Sequence, residues 1–425
     1  MLKMPHIYLL LFSLYWAQGL PVGFMTHALP VILRSEGVSL SHIGGFGLLM
    51  APWALKVFWA PWVDHYGNQR IGHYRSWILP TQLLSIVVLI VLSFLPIQAL
   101  NQPLYLLGFF IALLMINTLG ATQDIATDAL AVRMLNGQQQ HMGNMFQVIG
   151  SRLGFIVGGG AILWALDWLS WQRTFLVLAA IVFINSLPIL FYREAAATEI
   201  ASQHIQIKRT QIQQPPLSWA LLYQQYAAYF FKEPQLRTWL WVLITIKITD
   251  GLSGPLLKPL LVDLGLNFSQ IGIYITMLGA VAAILGAALA SICLSYASRA
   301  VCLMLFSVAK LISLAGFTGL AILYAQHQSV PAFWIYLINA FEDLCAAMLL
   351  VVVLTLVMQY SRPTHAGTDF TFQVSVMALI SGGLYTLSGF IGDWLGYAHY
   401  LSWILVLGVL LLLPIMYWWR HSRLT

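Results

Sequence analysis

The stretch that decides the class of this protein is LYLLGFFIALLMINTLGATQDIATDALAV, residues 104–132. Its first half is an apolar run of the kind that crosses a lipid bilayer as a helix. Its second half carries Asp124 and Asp128, whose four-residue spacing stacks the two side chains on one helix face. Because each carboxylate is costly inside a membrane, we expect this pair to serve a function.

The composition of the whole chain extends this interpretation. Of the 425 residues, 60% are hydrophobic and only 8% are charged, whereas an ordinary soluble domain carries about 25% charged residues. The first apolar block is too long for the core of a signal peptide and lacks a small-residue cleavage pattern, so we expect it to be retained. Similar blocks recur along the chain. The sequence therefore predicts an all-α polytopic membrane protein.

Apolar blocks separated by polar breaks predict twelve membrane spans in two groups of six. The one long polar stretch, residues 193–236, is predicted to be a cytoplasmic linker. It separates a predicted N-terminal bundle, residues 1–192, from a C-terminal bundle, residues 237–425. The predicted spans are 7–33, 42–64, 76–97, 104–131, 143–166, 172–192, 237–263, 269–292, 301–324, 332–358, 367–392 and 397–419.

Lysine and arginine are strongly biased to one side of this predicted topology. With the N-terminus inside, only Arg34 and Arg173 lie on the outer side. The positive-inside rule therefore predicts that both termini are cytoplasmic. The basic residues assigned to the cytoplasmic side are Lys3, Arg70, Arg75, Arg133, Arg193, Lys208, Arg209, Lys232, Arg237, Arg299, Arg362, Arg420 and Arg423.

The two predicted halves also resemble each other in sequence. The first span closes with ALPVILRSEGVSLSHIG, which matches LLKPLLVDLGLNFSQIG at the close of the seventh span. In the fourth span TQDI stands where FEDL stands in the tenth. Because the matched segments keep the same orientation, we expect parallel repeats with a substrate site in a central cavity between the two bundles.

Ionisable side chains within the predicted spans are the candidate site residues, because each needs a partner, a wet cavity or a way to lose its charge. Lys310 is one of them and receives no specific role. The candidates for binding an anionic solute are Lys56, Arg152, Lys247, Lys258 and the amide of Asn339. The candidates for carrying a coupling proton are Asp124, Asp128, Asp250, Glu342, Asp343 and Asp369.

Helical spacing predicts which of these side chains lie together. Lys247 and Asp250 are one turn apart and can form an ion pair, and Lys258 faces the same way as Lys247. Arg152 in the fifth span is predicted to neutralise one of the two aspartates of the fourth span, which leaves the other to take up a proton. The alternative for each residue is a structural ion pair that locks two helices together. A cavity with a basic and an acidic part accounts better for the whole set.

Other kinds of chemistry find no support in the sequence. There is no Walker-type nucleotide motif, so we expect an ion gradient to supply the energy. Cys293, Cys302 and Cys345 have neither disulfide nor metal-ligand spacing and are expected to pack. A membrane-bound acyltransferase would need a catalytic His or Cys with ordered partners. We therefore expect no enzymatic activity, cofactor, metal or nucleic-acid partner.

Several motifs resemble those of a known superfamily of transporters. The segment WAPWVDHYGNQRIGHYRSW, residues 59–77, resembles the loop signature of the major facilitator superfamily. The segments LKVFWAPWVD, TQDIATDA, GSRLGF and FEDL are similar to those of the AmpG muropeptide permeases and occur in matching order. Others, namely YWAQGLPVGFMTHALPVILRSEGVSLSHIG, MAPWALKVFWAPWVD, LLKPLLVDLGL and AGTDFTFQ, are closer to the RhtX/FptX siderophore permeases. The resemblance covers nearly the whole chain except the central linker.

This resemblance implies twelve helices in two bundles around a central cavity, in the inner membrane of a Gram-negative bacterium. We expect the protein to be a monomer. It also implies proton-driven import of a periplasmic solute. Asp343, where the AmpG-like pattern has Asn, and Lys258 depart from that branch. The positions that match the motifs of these permeases are Lys56, Asp124, Asp128, Arg152, Lys247, Asp250 and Glu342.

Two substrates fit this prediction. The first is a ferric siderophore, an iron chelate that often bears carboxylate or phenolate groups, and the sequence favours it. The alternative is import of anhydromuropeptides, which carry several carboxylates and one sugar portion, for cell-wall recycling. Both substrates need a basic cavity, so charge alone does not choose between them.

Overall fold

The computed structural model of the chain describes residues 4–29, 32–33, 46–95, 99–100, 102–194, 228–267 and 270–422. All regular elements within these ranges are helical. Nine of the described helices are long and apolar enough to cross a membrane. The predicted all-α polytopic membrane protein is confirmed, and twelve spans remain a prediction consistent with these helices.

The helices are numbered in chain order, and short π or 3-10 turns adjoin several of them. The first eight are α1 (Met4–Gly23), α2 (Ala51–Leu55), α3 (Ala60–His65), α4 (Arg75–Ser93), α5 (Pro103–Met134), α6 (Gln140–Phe155), α7 (Ile162–Trp168) and α8 (Trp171–Phe191). The others are α9 (Pro234–Asp263), α10 (Leu278–Tyr296), α11 (Arg299–Ala325), α12 (Ala332–Gln359), α13 (Ala366–Leu410) and α14 (Leu412–Ser422).

The chain divides into two compact units. Unit 1 consists of Met1–Gln139, Ile149–Tyr226 and Ser361–Thr371. Unit 2 consists of Gln140–Val148, Ala227–Tyr360 and Phe372–Thr425. The predicted bundle boundaries and the linker stay predictions, since residues 195–227 of the predicted linker lie outside the described residues.

The helix α5 carries both aspartates of unit 1. It begins at Pro103, where the missing N–H of proline costs nothing, and the backbone becomes extended at Leu135. Its 32 residues correspond to about 48 Å, which exceeds the roughly 30 Å of a bilayer core. Nearly all residues of 120–132 are buried. The two aspartates therefore face protein and not lipid.

The predicted second span is broken, and the break presents Lys56. Pro52 lies in the first turn of α2 and Pro61 in the first turn of α3. Proline is tolerated there but cannot continue an existing helix, because it has no N–H to donate. A short 3-10 turn, Lys56–Phe58, fills the interval between the two short helices.

Close approach of glycines fixes the packing of α1 against α6 in unit 1. A Cβ atom added to Gly19 would lie 3.0 Å from the Cα of Gly154, and one added to Gly154 would lie 2.6 Å from the carbonyl carbon of Gly19. Only residues without a side chain allow two membrane helices to approach this closely. The core of unit 1 lies nearby, with Phe24 edge-on to Phe175 at 5.5 Å between ring centroids.

In unit 2, α13 changes direction within its 45 residues. Gly396 has φ 70° and ψ 159°, a backbone conformation that glycine adopts far more readily than other residues. The helix is therefore two helices joined at Gly396. This junction coincides with the break predicted between the eleventh and twelfth spans.

Candidate functional site

The first candidate cluster, here called the N-terminal network, consists of Tyr15, Lys56, Asp124 and Asp128 in unit 1. Lys56 forms an ion pair with Asp124, and the side chains of the two residues are only 4% and 12% exposed. The Lys56 ammonium also lies 5.7 Å from the ring centroid of Trp53. A lysine so deeply buried requires an opposite charge, and Asp124 supplies it.

Asp128, one turn after Asp124 on α5, is held by a neutral donor. The Tyr15 hydroxyl donates a hydrogen bond to Asp128 Oδ1 at 2.7 Å. Both residues are almost completely buried. Gln18, one turn after Tyr15 on α1, donates from Nε2 to the Thr127 hydroxyl at 3.1 Å. These contacts fix α1 against the face of α5 that carries the carboxylate.

The partner predicted for these aspartates was wrong. Lys56, and not Arg152, forms the ion pair with Asp124. The Arg152 guanidinium lies 5.8 Å from the ring centroid of Phe155, its neighbour three residues along α6. Residues three apart on a helix share a face, so this contact is local to α6. Lys56 reaches Asp124 only because the broken second span brings it to α5.

The second cluster, here called the C-terminal network, consists of Lys247, Asp250, Lys310, Ser313 and Glu342 in unit 2. The predicted pairing of Lys247 with Asp250 is confirmed at 2.9 Å. Lys310 from α11 lies 3.6 Å from Asp250 and forms a second ion pair with Glu342 from α12. The Ser313 hydroxyl hydrogen-bonds to Glu342. Charges of alternating sign thus connect α9, α11 and α12.

Asn339 and Asp343 form a separate contact on α12. The Asn339 amide donates to Asp343 Oδ2 at 3.0 Å and to the carbonyl of Ile275 at 3.1 Å. Space beside the Asp343 carboxylate is restricted, since a side chain at Gly279 would collide with it. The structure therefore places the two predicted residues with each other. Lys258 is exposed on α9, three turns from Lys247.

Asp369 lies at the start of α13, apart from both networks. Its carboxylate accepts two hydrogen bonds from the Arg362 guanidinium, at 2.7 and 2.8 Å, and a third from the Arg362 backbone N–H at 3.0 Å. A bidentate pair of this kind fixes the geometry of the two side chains. The contacts hold the start of α13 to the preceding loop, and the predicted role of Asp369 in carrying a proton stays a prediction.

The carboxylate of Asp64, in the last turn of α3, caps the start of α13. Asp64 accepts hydrogen bonds from the backbone N–H groups of Gly367 and Thr368 at 3.0 and 2.7 Å. It also accepts one from the Tyr74 hydroxyl at 2.7 Å. Burial, and then the charge of Asp64, raise the pKa of Tyr74, which keeps that hydroxyl a donor. Asp64 belongs to the loop motif that resembles the superfamily signature.

Sequence reasoning missed three contributors to the networks. Lys310 stood out as a charge within a span, but its bridging position depends on three helices meeting. Tyr15 and Ser313 gave no signal, because tyrosine and serine are common in membrane helices and only the fold brings them to a carboxylate. The sequence could identify residues of the networks only where a charged side chain interrupts an apolar run.

Both networks consist of paired charges and hydrogen-bonded carboxylates. Buried lysines can bind the carboxylates of a solute, and buried carboxylates can take up and release a proton. Within the described residues no group of three or more His, Cys, Asp or Glu side chains could hold a metal ion. Neither the binding of a solute carboxylate by a lysine nor the uptake of a proton by a carboxylate requires a cofactor.

Known proteins resemble this chain over most of its length. It is 27% identical over 399 residues to the anhydromuropeptide permease of Escherichia coli K12, covering 92% of this chain and 74% of that protein. It is 24% identical over 413 residues to the putative transporter AmpG 4 of Rickettsia conorii, covering 96% and 95%. Residues 6–167 match the family described as acetyl-coenzyme A transporter 1.

A solved structure gives the fold. The proton:xylose symporter XylE, bound to 6-bromo-6-deoxy-D-glucose, superimposes with a TM-score of 0.70 at 13% identity, covering 99% of this chain and 96% of that one. The chain has the major facilitator superfamily fold. The predicted fold class is thereby confirmed. The named relatives are a permease and transporters, and none is an enzyme or a siderophore permease, so the siderophore branch favoured by the sequence lacks support.

Proposed function

We propose that this chain imports anhydromuropeptides across the inner membrane together with protons. The observation that carries the proposal is the similarity to the E. coli anhydromuropeptide permease over 92% of the chain. It supports the second of the two substrates considered from the sequence and takes the place of the ferric siderophore. Both termini are proposed to be cytoplasmic, as the distribution of basic residues predicts.

The buried cations suit the charge of such a substrate. Anhydromuropeptides carry several carboxylates, and a carboxylate entering a membrane protein needs a positive partner. Lys56 and Lys310 are each held by a carboxylate of the protein. A substrate carboxylate can compete for these lysines at a lower cost than it would meet in an apolar cavity. Arg152 and Lys247 are half-buried and are proposed to contact the substrate as well.

The contacts of the N-terminal network support different roles for its two aspartates. Asp124 is paired with Lys56, so we assign it the role of a clamp. Asp128 is held by the neutral hydroxyl of Tyr15 and lies one turn from the charge of Asp124, so we assign it the coupling proton. Protonation of Asp128 removes a negative charge from the site. An anionic substrate then binds better, and by reciprocity the bound substrate favours the proton.

Reconstituted transport tests the substrate and the coupling. Purified protein in liposomes, given labelled anhydromuropeptide and an acidic exterior, is expected to accumulate it, and an uncoupler should abolish accumulation. Excess unlabelled anhydromuropeptide should compete, whereas acetyl-coenzyme A and a ferric siderophore should not. Accumulation of acetyl-coenzyme A or the iron chelate instead would refute the proposed substrate. Uptake of anhydromuropeptide that does not depend on the proton gradient would refute the proton coupling but not the substrate.

The Lys310→Met variant tests whether the buried cations bind substrate. It is expected to raise the concentration of anhydromuropeptide needed for half-maximal uptake. The exposed Lys232 provides the matched control, because Lys232→Met removes the same charge outside both networks. Equal uptake by the two variants would contradict a substrate-binding role for Lys310.

A further inference from the structure

A small cavity lies beside the C-terminal network in unit 2. Its volume is about 20 Å³, and α9, α11, α12, α13 and α14 all contribute to its walls. Most of the lining is apolar, including Leu349 and Ile415. The polar lining comes from Thr245 and Thr249 on α9 and from Ser307 and Lys310 on α11. A volume of this size suits one water molecule.

Ser307 points to a polar ligand in this cavity. The residue is only 5% exposed, and its hydroxyl has no hydrogen-bond partner within the described part of the chain. A buried hydroxyl without a hydrogen-bond partner lowers the stability of the fold, and native proteins usually give it a partner from the protein or from water. Because Ser307 precedes Lys310 by three residues, the two side chains share one face of α11.

Lys310 has a donor to spare for such a ligand. An ammonium group carries three N–H donors. One lies against Glu342, and a second faces Asp250 at 3.6 Å. The third can donate to an oxygen in the cavity that Lys310 lines. Ser307, Lys310 and the nearby hydroxyl of Thr249 together give a water molecule the two to four partners that buried waters require.

We propose that this cavity binds a water molecule between the Ser307 hydroxyl and the Lys310 ammonium, and that this water delivers protons to Glu342. Its role in proton delivery rests on the proton coupling proposed above, whereas the hydration site does not. When an excess proton reaches the water, one N–H bond of Lys310 breaks as an O–H bond forms on Glu342. The excess proton then bonds to the Lys310 nitrogen. Lys310 stays an ammonium, Glu342 becomes neutral and the water is restored.

Radiolytic hydroxyl labelling of the purified full chain in ¹⁸O-water tests the hydration site directly. Short X-ray pulses oxidise side chains beside bound water, and mass spectrometry locates the oxidised residues. Leu349 lines the cavity, and Leu354 on the same helix does not, although both are 6% exposed. Leu349 is expected to be oxidised faster than Leu354, and Ser307→Ala should abolish the difference. Equal oxidation of the two leucines in the native protein would overturn the hydration site.

Transport by the same variant tests proton delivery. Ser307→Ala removes a hydroxyl that has no hydrogen-bond partner among the described residues, so we expect normal folding. Gradient-driven uptake should fall about tenfold, the effect of losing one hydrogen bond to a charged group. Thr318→Val is the control, since it removes a buried hydroxyl of α11 that donates to the carbonyl of Leu314.

The two arms separate the possible failures. Fast oxidation of Leu349 together with normal uptake by Ser307→Ala would overturn proton delivery. Uptake that is independent of the gradient in the native protein would contradict the proposed coupling and leave the labelling result, and hence the hydration site, unaffected.

Discussion

The N-terminal and C-terminal networks pair buried charges in different ways. In the N-terminal network Lys56 and Asp124 form one ion pair whose side chains are 4% and 12% exposed. In the C-terminal network Lys310 contacts both Asp250 and Glu342, and Lys247 adds a third ion pair. The charged side chains of that network are 15% to 27% exposed.

This difference decides how each network responds to the loss of one charge. In the N-terminal network the loss of Asp124 removes the carboxylate in direct contact with the buried Lys56, although the charge of Asp128 still acts on it. Breaking a buried ion pair in this way is strongly unfavourable. In the C-terminal network Lys310 keeps a second carboxylate when the first is removed. We therefore expect the N-terminal network to be sensitive to every single change and the C-terminal network to tolerate some of them.

Asp124→Asn is expected to have the largest effect on stability. It leaves Lys56 buried without the carboxylate that contacts it, which costs at most about 3–5 kcal/mol because the charge of Asp128 remains. The yield of folded protein in the membrane and the thermal midpoint in detergent should both fall. The double variant Lys56→Met with Asp124→Leu should recover most of the loss, because apolar residues often replace a buried ion pair without penalty. A double variant as unstable as the single one would contradict the clamp.

Glu342→Gln is expected to have an intermediate effect of about 1–3 kcal/mol, since Lys310 retains Asp250. Thermal unfolding of the purified variant measures it. Lys247→Met, which removes a charge that is 27% exposed, should cost about 1 kcal/mol or less. If Glu342→Gln destabilised the protein as much as Asp124→Asn, the two networks would not differ in the way proposed.

His73, in unit 1 and outside both networks, is expected to give the smallest effect, which depends on pH. Burial, and then the charge of Arg133, lower the pKa of His73, while its hydrogen bond to the Val63 carbonyl and the charges of Glu194 and Asp64 oppose this. A lowered pKa in the folded state means that the contribution is complete above the ordinary value of about 6.5. It is lost as the pH falls through the lowered pKa.

The His73→Gln variant tests this pH dependence. Its thermal midpoint should decline less steeply than that of the native protein as the pH is lowered below about 6.5. The exposed His65, at the end of α3, offers a control, and His65→Gln should leave the slope unchanged. Identical slopes in all three proteins would show that neither histidine contributes.

The sequence predicted those features that depend on local spacing. Hydropathy gave the helical membrane class, and a separation of three residues gave the pairing of Lys247 with Asp250. The repeated segments and loop motif led to the fold. Contacts between residues far apart in the sequence could not be predicted. Lys56, for example, is 68 residues from Asp124 and contacts it only because the second span is broken. The bridging role of Lys310 depends in the same way on three separate helices.

The central claim is that Asp128 carries the coupling proton, and proton uptake on substrate binding tests it most directly. A pH-indicator dye in weakly buffered detergent solution reports protons taken up when anhydromuropeptide is added to purified protein. The native protein and the exposed-carboxylate control Asp263→Asn are expected to take up protons. Asp128→Asn should bind substrate and exchange it in counterflow but take up fewer protons, because only Glu342 can then gain one. Equal proton uptake by Asp128→Asn and the native protein would contradict the claim.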